Sequence, residues 1–251
     1  MKQKIFLMGT IMVLTASLLQ AQDRMNNRQI SIFLGGQSVP KPEFTNLAGA
    51  PIATQNESNK LPWNFGFRAE REYMVNDLLG WGWCYGFGIR HTGWNVTIPK
   101  GTQGTGLLTG LPQDADGELG ISLFGISGDV GLYGALHLSS TFEVFGSLGV
   151  SFTTYWEMLS SSSYGGRETT FSGSEPISGK LLAPYALLGA KYTFNEDYFI
   201  SLSCRYSRGF SADNSIKGDA VWDTPFHGGK VEAPFVQDIT VMLGVGIMME
   251  R

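Results

Sequence analysis

Residues 123–156, LFGISGDVGLYGALHLSSTFEVFGSLGVSFTTYW, constrain the fold more than any other stretch of this chain. They form two alternating runs joined by Ser139-Ser140-Thr141. In the first run Ile126, Val130, Leu132, Leu136 and Leu138 share one parity; Ser127, Asp129, Gly131, Tyr133, Ala135 and His137 share the other. In the second, Phe142, Val144, Leu148, Val150 and Phe152 alternate with Glu143, Phe145, Ser147, Gly149, Ser151 and Thr153. Successive side chains of a strand point to opposite faces, so each run reads as a strand with two different faces. Each run is roughly 14 residues, against about 5–6 for a typical strand of a soluble protein. A tilted strand crossing a bilayer needs about 9–11.

The same pattern recurs along the chain. Strands are expected over residues 28–37, 62–74, 79–96, 180–194, 198–210 and 235–249. The cleanest sets Trp81, Trp83, Tyr85, Phe87 and Ile89 against Gly80, Gly82, Cys84, Gly86, Gly88 and Arg90. Long breaker-rich segments (38–61, 97–119, 157–179, 211–234) interleave with short turns (75–78, 139–141, 195–197). Long loops on one side and short turns on the other predict an all-β fold, an eight-stranded antiparallel transmembrane up-and-down β-barrel. The loops are expected outside the cell and both termini in the periplasm. The rival is a soluble lipocalin-like barrel, with apolar residues inside and polar residues outside. The nearly charge-free parity of Trp81 to Ile89 argues against it, because nothing recommends that face to water.

The chain opens on a secretory pattern. Lys2 and Lys4 precede an apolar run over residues 5–19, and Ala21 fits the position before cleavage. Residues 1–21 are therefore expected to be a signal peptide and residues 22–251 one barrel domain. The alternative, an uncleaved anchor helix, is opposed by Gly9, Thr10, Thr15 and Ser17 within the run. Loss of the two leader lysines leaves 16 basic against 22 acidic residues, so net charge moves from −4 to −6. No basic patch for nucleic acid is expected. Charged residues at 16%, aromatics at 12% and 33 glycines suit a barrel with an apolar outside and small residues inside. Cys84 and Cys204 fall on opposite faces of their strands, so free thiols are expected.

These strands, the signal ending in Ala21-Gln22, and Gly-rich segments such as Gly82-Trp83-Cys84-Tyr85-Gly86-Phe87-Gly88 and Leu243-Gly244-Val245-Gly246 carry a resemblance. The mature chain resembles small eight-stranded outer-membrane barrels of the OmpA-transmembrane and OmpX type. More closely, it is similar to the outer membrane beta-barrel domain proteins common in Bacteroidetes-like bacteria. The resemblance implies outer-membrane lipid and lipopolysaccharide as surroundings, and the barrel assembly machinery as a partner. Many such barrels end in an aromatic residue; this chain ends Met248-Met249-Glu250-Arg251.

The inward parity collects Arg68, Glu70, Arg90, Asp129, His137, Glu143, Lys191 and Arg205. They read as an ion-selective constriction or as a structural lumen network. An eight-stranded interior is just wide enough for side chains to fill, and Phe33, Tyr133, Phe145, Tyr155 and Tyr185 share it, so the structural network is the expectation. Buried charges must be paired or wet. Arg90 is expected on Asp129, and Glu143 on Lys191 or His137.

His137-Leu138-Ser139 with Glu143 is similar on paper to the His-x-Ser pair and acid of outer-membrane lipid A deacylases. Such chemistry needs a His base beside a Ser nucleophile and an acid to orient the His. Here the triplet sits on a short turn, away from the outer leaflet, so no catalytic residue is expected. His91 and His227 lack recognised metal-ligand spacing, and neither metal nor cofactor is expected. Trp63, Trp81, Trp83, Trp94, Trp156, Tyr192, Phe194, Tyr198 and Tyr206 lie near strand ends, as an interfacial aromatic girdle rather than a carbohydrate platform. Trp222, Phe226 and His227 fall in the fourth loop and are candidates for contact with an unknown extracellular ligand. The expected function is non-enzymatic: an envelope structural or surface-interaction barrel with a plugged lumen. The alternatives are a narrow porin for small solutes and a lipid A-modifying enzyme.

Overall fold

The computed structural model describes residues 26–104, 111–169, 176–195, 197–209, 215–223, 227–234 and 237–250. The expected signal peptide over residues 1–21 lies outside them. Numbered in chain order, the strands are β1 (Asn26–Gln37), β2 (Glu43–Asn46), β3 (Pro51–Ile52), β4 (Gln55–Asn59), β5 (Trp63–Met74), β6 (Leu79–Ile98) and β7 (Gly117–His137). Then come β8 (Phe142–Tyr164), β9 (Arg167–Thr169), β10 (Ser178–Phe194), β11 (Tyr198–Ser207), β12 (Ser215–Asp223), β13 (His227–Pro234) and β14 (Asp238–Glu250).

Eight of them close into a ring. Antiparallel ladders run β1–β5–β6–β7–β8–β10–β11–β14, and β14 returns to β1 through pairs such as Ile32↔Val245 and Leu34↔Leu243. Closure removes the edges, so every ring strand finds backbone partners on both sides, as a strand crossing lipid must. The short turns are locally specified. Asn76 Oδ1 accepts from the backbone N–H of Leu78 and Leu79 at 2.9 and 2.8 Å. Ser139 Oγ accepts from Phe142 N–H at 3.0 Å. Asn195 holds a positive φ of 52°, which Asn tolerates better than most residues.

The lower ring has an apolar outside. Ile32, Leu34, Trp83, Tyr85, Val130, Leu132, Leu148, Leu202 and Leu243 are all exposed there, Leu148 at 66% and Val130 at 60%. Exposed apolar surface of that extent on a closed barrel is a lipid-facing wall. Cys204 is exposed on it and Cys84 is buried inside, both as free thiols.

Higher up, towards the long loops, the parity persists but the polarity inverts. On β6 the outward residues change from Trp83, Tyr85 and Phe87 to Asn95 and Thr97, while Trp94, Val96 and Ile98 turn inward and are buried. On β7, above a bulge at Ser122/Leu123, Leu119, Ile121 and Leu123 are buried. These side chains join Phe44, Tyr155, Ile177, Leu181, Ile216, Val231 and Ala233 in an apolar core. Polar outside and apolar inside is the rule for a barrel in water. The strands therefore leave the membrane and continue as water-exposed β-structure.

That continuation corrects the reading of the long segments as loops. β6, β7 and β8 run 20, 21 and 23 residues; β8 reaches Tyr164, well into segment 157–179, whereas β6 and β7 enter segment 97–119 only at its ends, to Ile98 and from Gly117. Segment 38–61 contains β2, β3 and β4, and segment 211–234 contains the β12–β13 hairpin. β4 is QNESN and wholly exposed, so it carries no alternation to read. β12 joins β10 at Ser178 and Gly179, and β13 joins β2. Trp94 is a second correction. It is 1% exposed inside the apolar core and donates from Nε1 to the Pro40 carbonyl at 3.0 Å. It belongs to no girdle, because at its height there is no lipid for it to meet.

Candidate functional site

The lumen is built from the inward parity of the ring strands. Lys191 on β10 lies at its centre, 1% exposed. Its Nζ donates to Glu70 Oε2 on β5 at 3.1 Å and to Glu143 Oε1 on β8 at 3.0 Å. It also meets Tyr133 Oη at 3.1 Å and Gln29 Oε1. The rings of Phe145 and Phe199 flank the ammonium, each with its centroid 4.9 Å away. Partners from five other ring strands and three aromatic rings, Tyr133 included, thus converge on one cation. Arg68 donates to Glu70 Oε1 at 2.7 Å and to Ser147 Oγ at 2.8 Å.

At the short-turn rim the network ends in His137. Its Nε2 is 2.7 Å from Glu72 Oε1 and its Nδ1 is 3.6 Å from Glu143 Oε2. Glu143 also accepts from Tyr133 Oη. Glu72 pairs with Gly82 on β6, and its side chain reaches the imidazole by passing over Gly80, two residues nearer the turn. A Cβ at Gly80 would stand 1.9 Å from Glu72 Oε1 and 2.6 Å from its Cδ.

Towards the long loops two further pairs follow. Arg205 Nη1 is 3.5 Å from Asp129 Oδ1, and its guanidinium stacks over the Tyr185 ring at 4.4 Å. Arg90 Nη1 donates to Asp238 Oδ2 at 3.0 Å, with Gln37 Oε1 at 3.4 Å. The expected Arg90–Asp129 contact does not form. The two side chains share the inward face, but Arg90 stands opposite Gly125 and Asp129 opposite Gly86, four residues lower on β6. The stagger between neighbouring strands sets which side chains meet across a barrel, and here it separates the two.

The structure thus brings Arg68, Glu70, His137, Glu143 and Lys191 into one connected network and places Arg90, Asp129 and Arg205 in separate pairs above it. Sequence reasoning missed Glu72, Asp238, Gln29 and Gln37. All four were legible by parity: Glu72 lies two residues beyond Glu70, and Asp238 precedes the outward Ile239. The cavity between Lys191, Arg68, Asp129 and Arg205 is about 30 Å³, room for one or two waters. Just above it the apolar core fills the bore with Trp94, Tyr155 and Ile121.

Ser139 Oγ is engaged within its own turn, with Thr141 Oγ1 at 3.3 Å and Phe142 N–H at 3.0 Å. Both ring nitrogens of His137 face carboxylates instead. His91 stacks on Trp63 at 5.7 Å on the outer face. Phe226 and the side chains of Trp222 and His227 lie outside the described residues.

No protein-family model matches this chain, and no curated protein matches it. Solved structures do. The outer membrane protein OprG from Pseudomonas aeruginosa is 17% identical, with a TM-score of 0.54 over 92% of this chain and 99% of that one. Ail, the attachment invasion locus protein of Yersinia pestis, is 15% identical, with a TM-score of 0.39 over 90% of this chain and 99% of its own. The outer membrane protease OmpT from Escherichia coli is 9% identical, with a TM-score of 0.43 over 89% and 97%. The likeness to OprG establishes the fold, that of a small outer-membrane β-barrel.

Proposed function

We propose that this protein is a non-conducting, non-enzymatic outer-membrane barrel that presents a rigid β-structured platform for contact at the cell surface. The observation that carries this reading is the inversion of polarity along β6 and β7. Strands that exceed the bilayer and close over their own apolar core make a projecting body rather than a set of slack loops. Trp94, Ile98, Ile121, Leu123 and Ile216 are almost wholly buried in that core, which holds its outer surface in a fixed shape. The short-turn rim and both termini then face the periplasm, and the platform faces outward. Its partners are outer-membrane lipid and lipopolysaccharide around the wall, the barrel assembly machinery during insertion, and an extracellular ligand at the platform. We place the chain with the barrel-domain proteins of Bacteroidetes-like bacteria on its Gly-rich strand segments and its leader.

Two features support a plugged scaffold over a narrow porin or a lipid A enzyme. The lumen cavity of about 30 Å³ is too small for any solute larger than water. The His137-Leu138-Ser139 triplet does not assemble a nucleophile and base, since Ser139 Oγ bonds its own turn. The test has two arms. An epitope inserted at the Gly165-Gly166 turn, where both residues take positive φ, should be stained on intact cells. The purified chain should give no stable unitary conductance in a planar bilayer. A reproducible conductance step, or staining only after the outer membrane is opened, overturns the reading. Lipid A masses should be identical in deletion and overexpression strains; a changed mass would restore the enzyme alternative.

A further inference from the structure

We infer that Glu72, His137 and Glu143 form a binding site for one divalent transition-metal ion at the short-turn rim of the barrel. Among the described residues, one ligand atom from each lies within 4.8 Å of the other two. Ligand atoms bound about 2.0–2.2 Å from one metal stand roughly 3–4 Å apart. His137 meets Glu72 through Nε2 at 2.7 Å and Glu143 through Nδ1 at 3.6 Å. One ion takes one of these nitrogens, and the carboxylate on the other side of the ring must turn to reach it.

Three further observations point to a cation. The first is charge. The network joins three carboxylates, Glu70, Glu72 and Glu143, and, among the described residues, two permanent cations, Lys191 and Arg68; the third positive charge must come from a protonated His137 or from a metal ion. The excess negative charge falls at the rim, because Arg68 and Lys191 engage Glu70 and the Oε1 side of Glu143. Glu143 Oε2 is left turned towards His137. The second is Glu72. Its side chain is 0% exposed, and among the described residues it receives, beyond His137, one long bond, from Asn27 Nδ2 at 3.5 Å. A buried carboxylate so thinly held is costly without a nearby positive charge. The third is access. A pocket of about 480 Å³, lined by His137, Glu143, Asn27, Thr193 and Ser139, lies beside the cluster. It leaves coordination positions open to water or a small anion.

One imidazole nitrogen with two carboxylate oxygens selects a borderline ion such as zinc over magnesium or calcium, which prefer oxygen alone. Binding requires the liganding nitrogen of His137 to be free of its proton, so uptake releases a proton wherever the imidazole was charged.

The test uses the mature full-length barrel folded in detergent micelles and dialysed against zinc chloride at neutral pH, with bound zinc counted per chain. One ion per barrel is expected, both in the wild type and in His91→Asn. His137→Asn and Glu72→Gln should each weaken binding by at least about tenfold. Heat-modifiable gel mobility reports whether each variant is folded, and if one is not, the other decides. The assignment is overturned by absent uptake in the wild type, by wild-type affinity in the folded variants, by loss of zinc in His91→Asn, or by magnesium displacing zinc at equal concentration. Conductance and surface staining do not enter this test, so it stands or falls apart from the proposed function.

Discussion

Replacing Lys191 by Met tests whether the lumen network is held together by buried charge. The Met side chain keeps most of the apolar stem between Phe145 and Phe199 and deletes only the ammonium. Glu70 retains Arg68 at 2.7 Å. Among the described residues Glu143 retains neutral Tyr133 and the half-buried His137. Breaking a buried ion pair by removing one partner costs about 3–5 kcal/mol. Because one of the two carboxylates stays paired, the expected loss is at the lower end, about 3 kcal/mol. Adding Glu143→Gln removes the charge left uncompensated, so the double variant should be more stable than the sum of the single effects by about 1–3 kcal/mol. The assay is reversible urea unfolding of the barrel in lipid vesicles, with the folded fraction read from heat-modifiable gel mobility. Two results refute the reasoning. One is a Lys191→Met loss below about 1 kcal/mol, as a solvated pair would give. The other is strict additivity in the double variant, which would mean that the two groups do not interact.

Three other outcomes follow from the same geometry. Leu148→Arg places a charge on the exposed apolar wall of β8 and should cost about 2–4 kcal/mol in vesicle unfolding if that wall meets lipid; a soluble barrel would be nearly indifferent. Trp94→Ala should destabilise the loop-end core by about 3–5 kcal/mol, seen as faster proteolysis of the projecting part while the membrane ring persists; equal protease resistance would contradict that core. A lipid-soluble maleimide should modify Cys204 on the outer wall and spare buried Cys84, and mass spectrometry of labelled vesicles would show two adducts if the facing of either strand were wrong.

The ring was legible because lipid and lumen impose opposite demands on alternate residues, and both demands are written in period two. Trp83, Tyr85 and Phe87 on one parity and Cys84, Gly86 and Arg90 on the other leave one arrangement. The projecting part was less legible for two physical reasons. Its environment is water, so the same parity carries the opposite polarity, and grouping Trp94 with residues near strand ends missed its shared parity with Arg90. Its strands are also short: β2 has four residues and β3 two, too few for a period to declare itself. Within the lumen, the identity of the inward charges was readable but their partners were not. Partner choice depends on strand stagger and on reach across the bore. Arg90 meets Asp238 from β14, a residue 148 positions away with no local sequence sign of the contact.

The two plugs differ in a way that bears on what each can do. The apolar core above the membrane is closed by side chains that prefer each other to water, so it stays shut without any charge being set. The lower plug is different in kind. Lys191, Arg68 and their carboxylates remain in a narrow bore only as long as they remain matched, and the match is uneven at the rim, where Glu72 and Glu143 share one imidazole. A change confined to His137, by protonation or by metal, therefore alters the balance of the whole lower network without touching the upper core. The rim can respond to its surroundings while the core above keeps its shape, as the proposed surface contact would require.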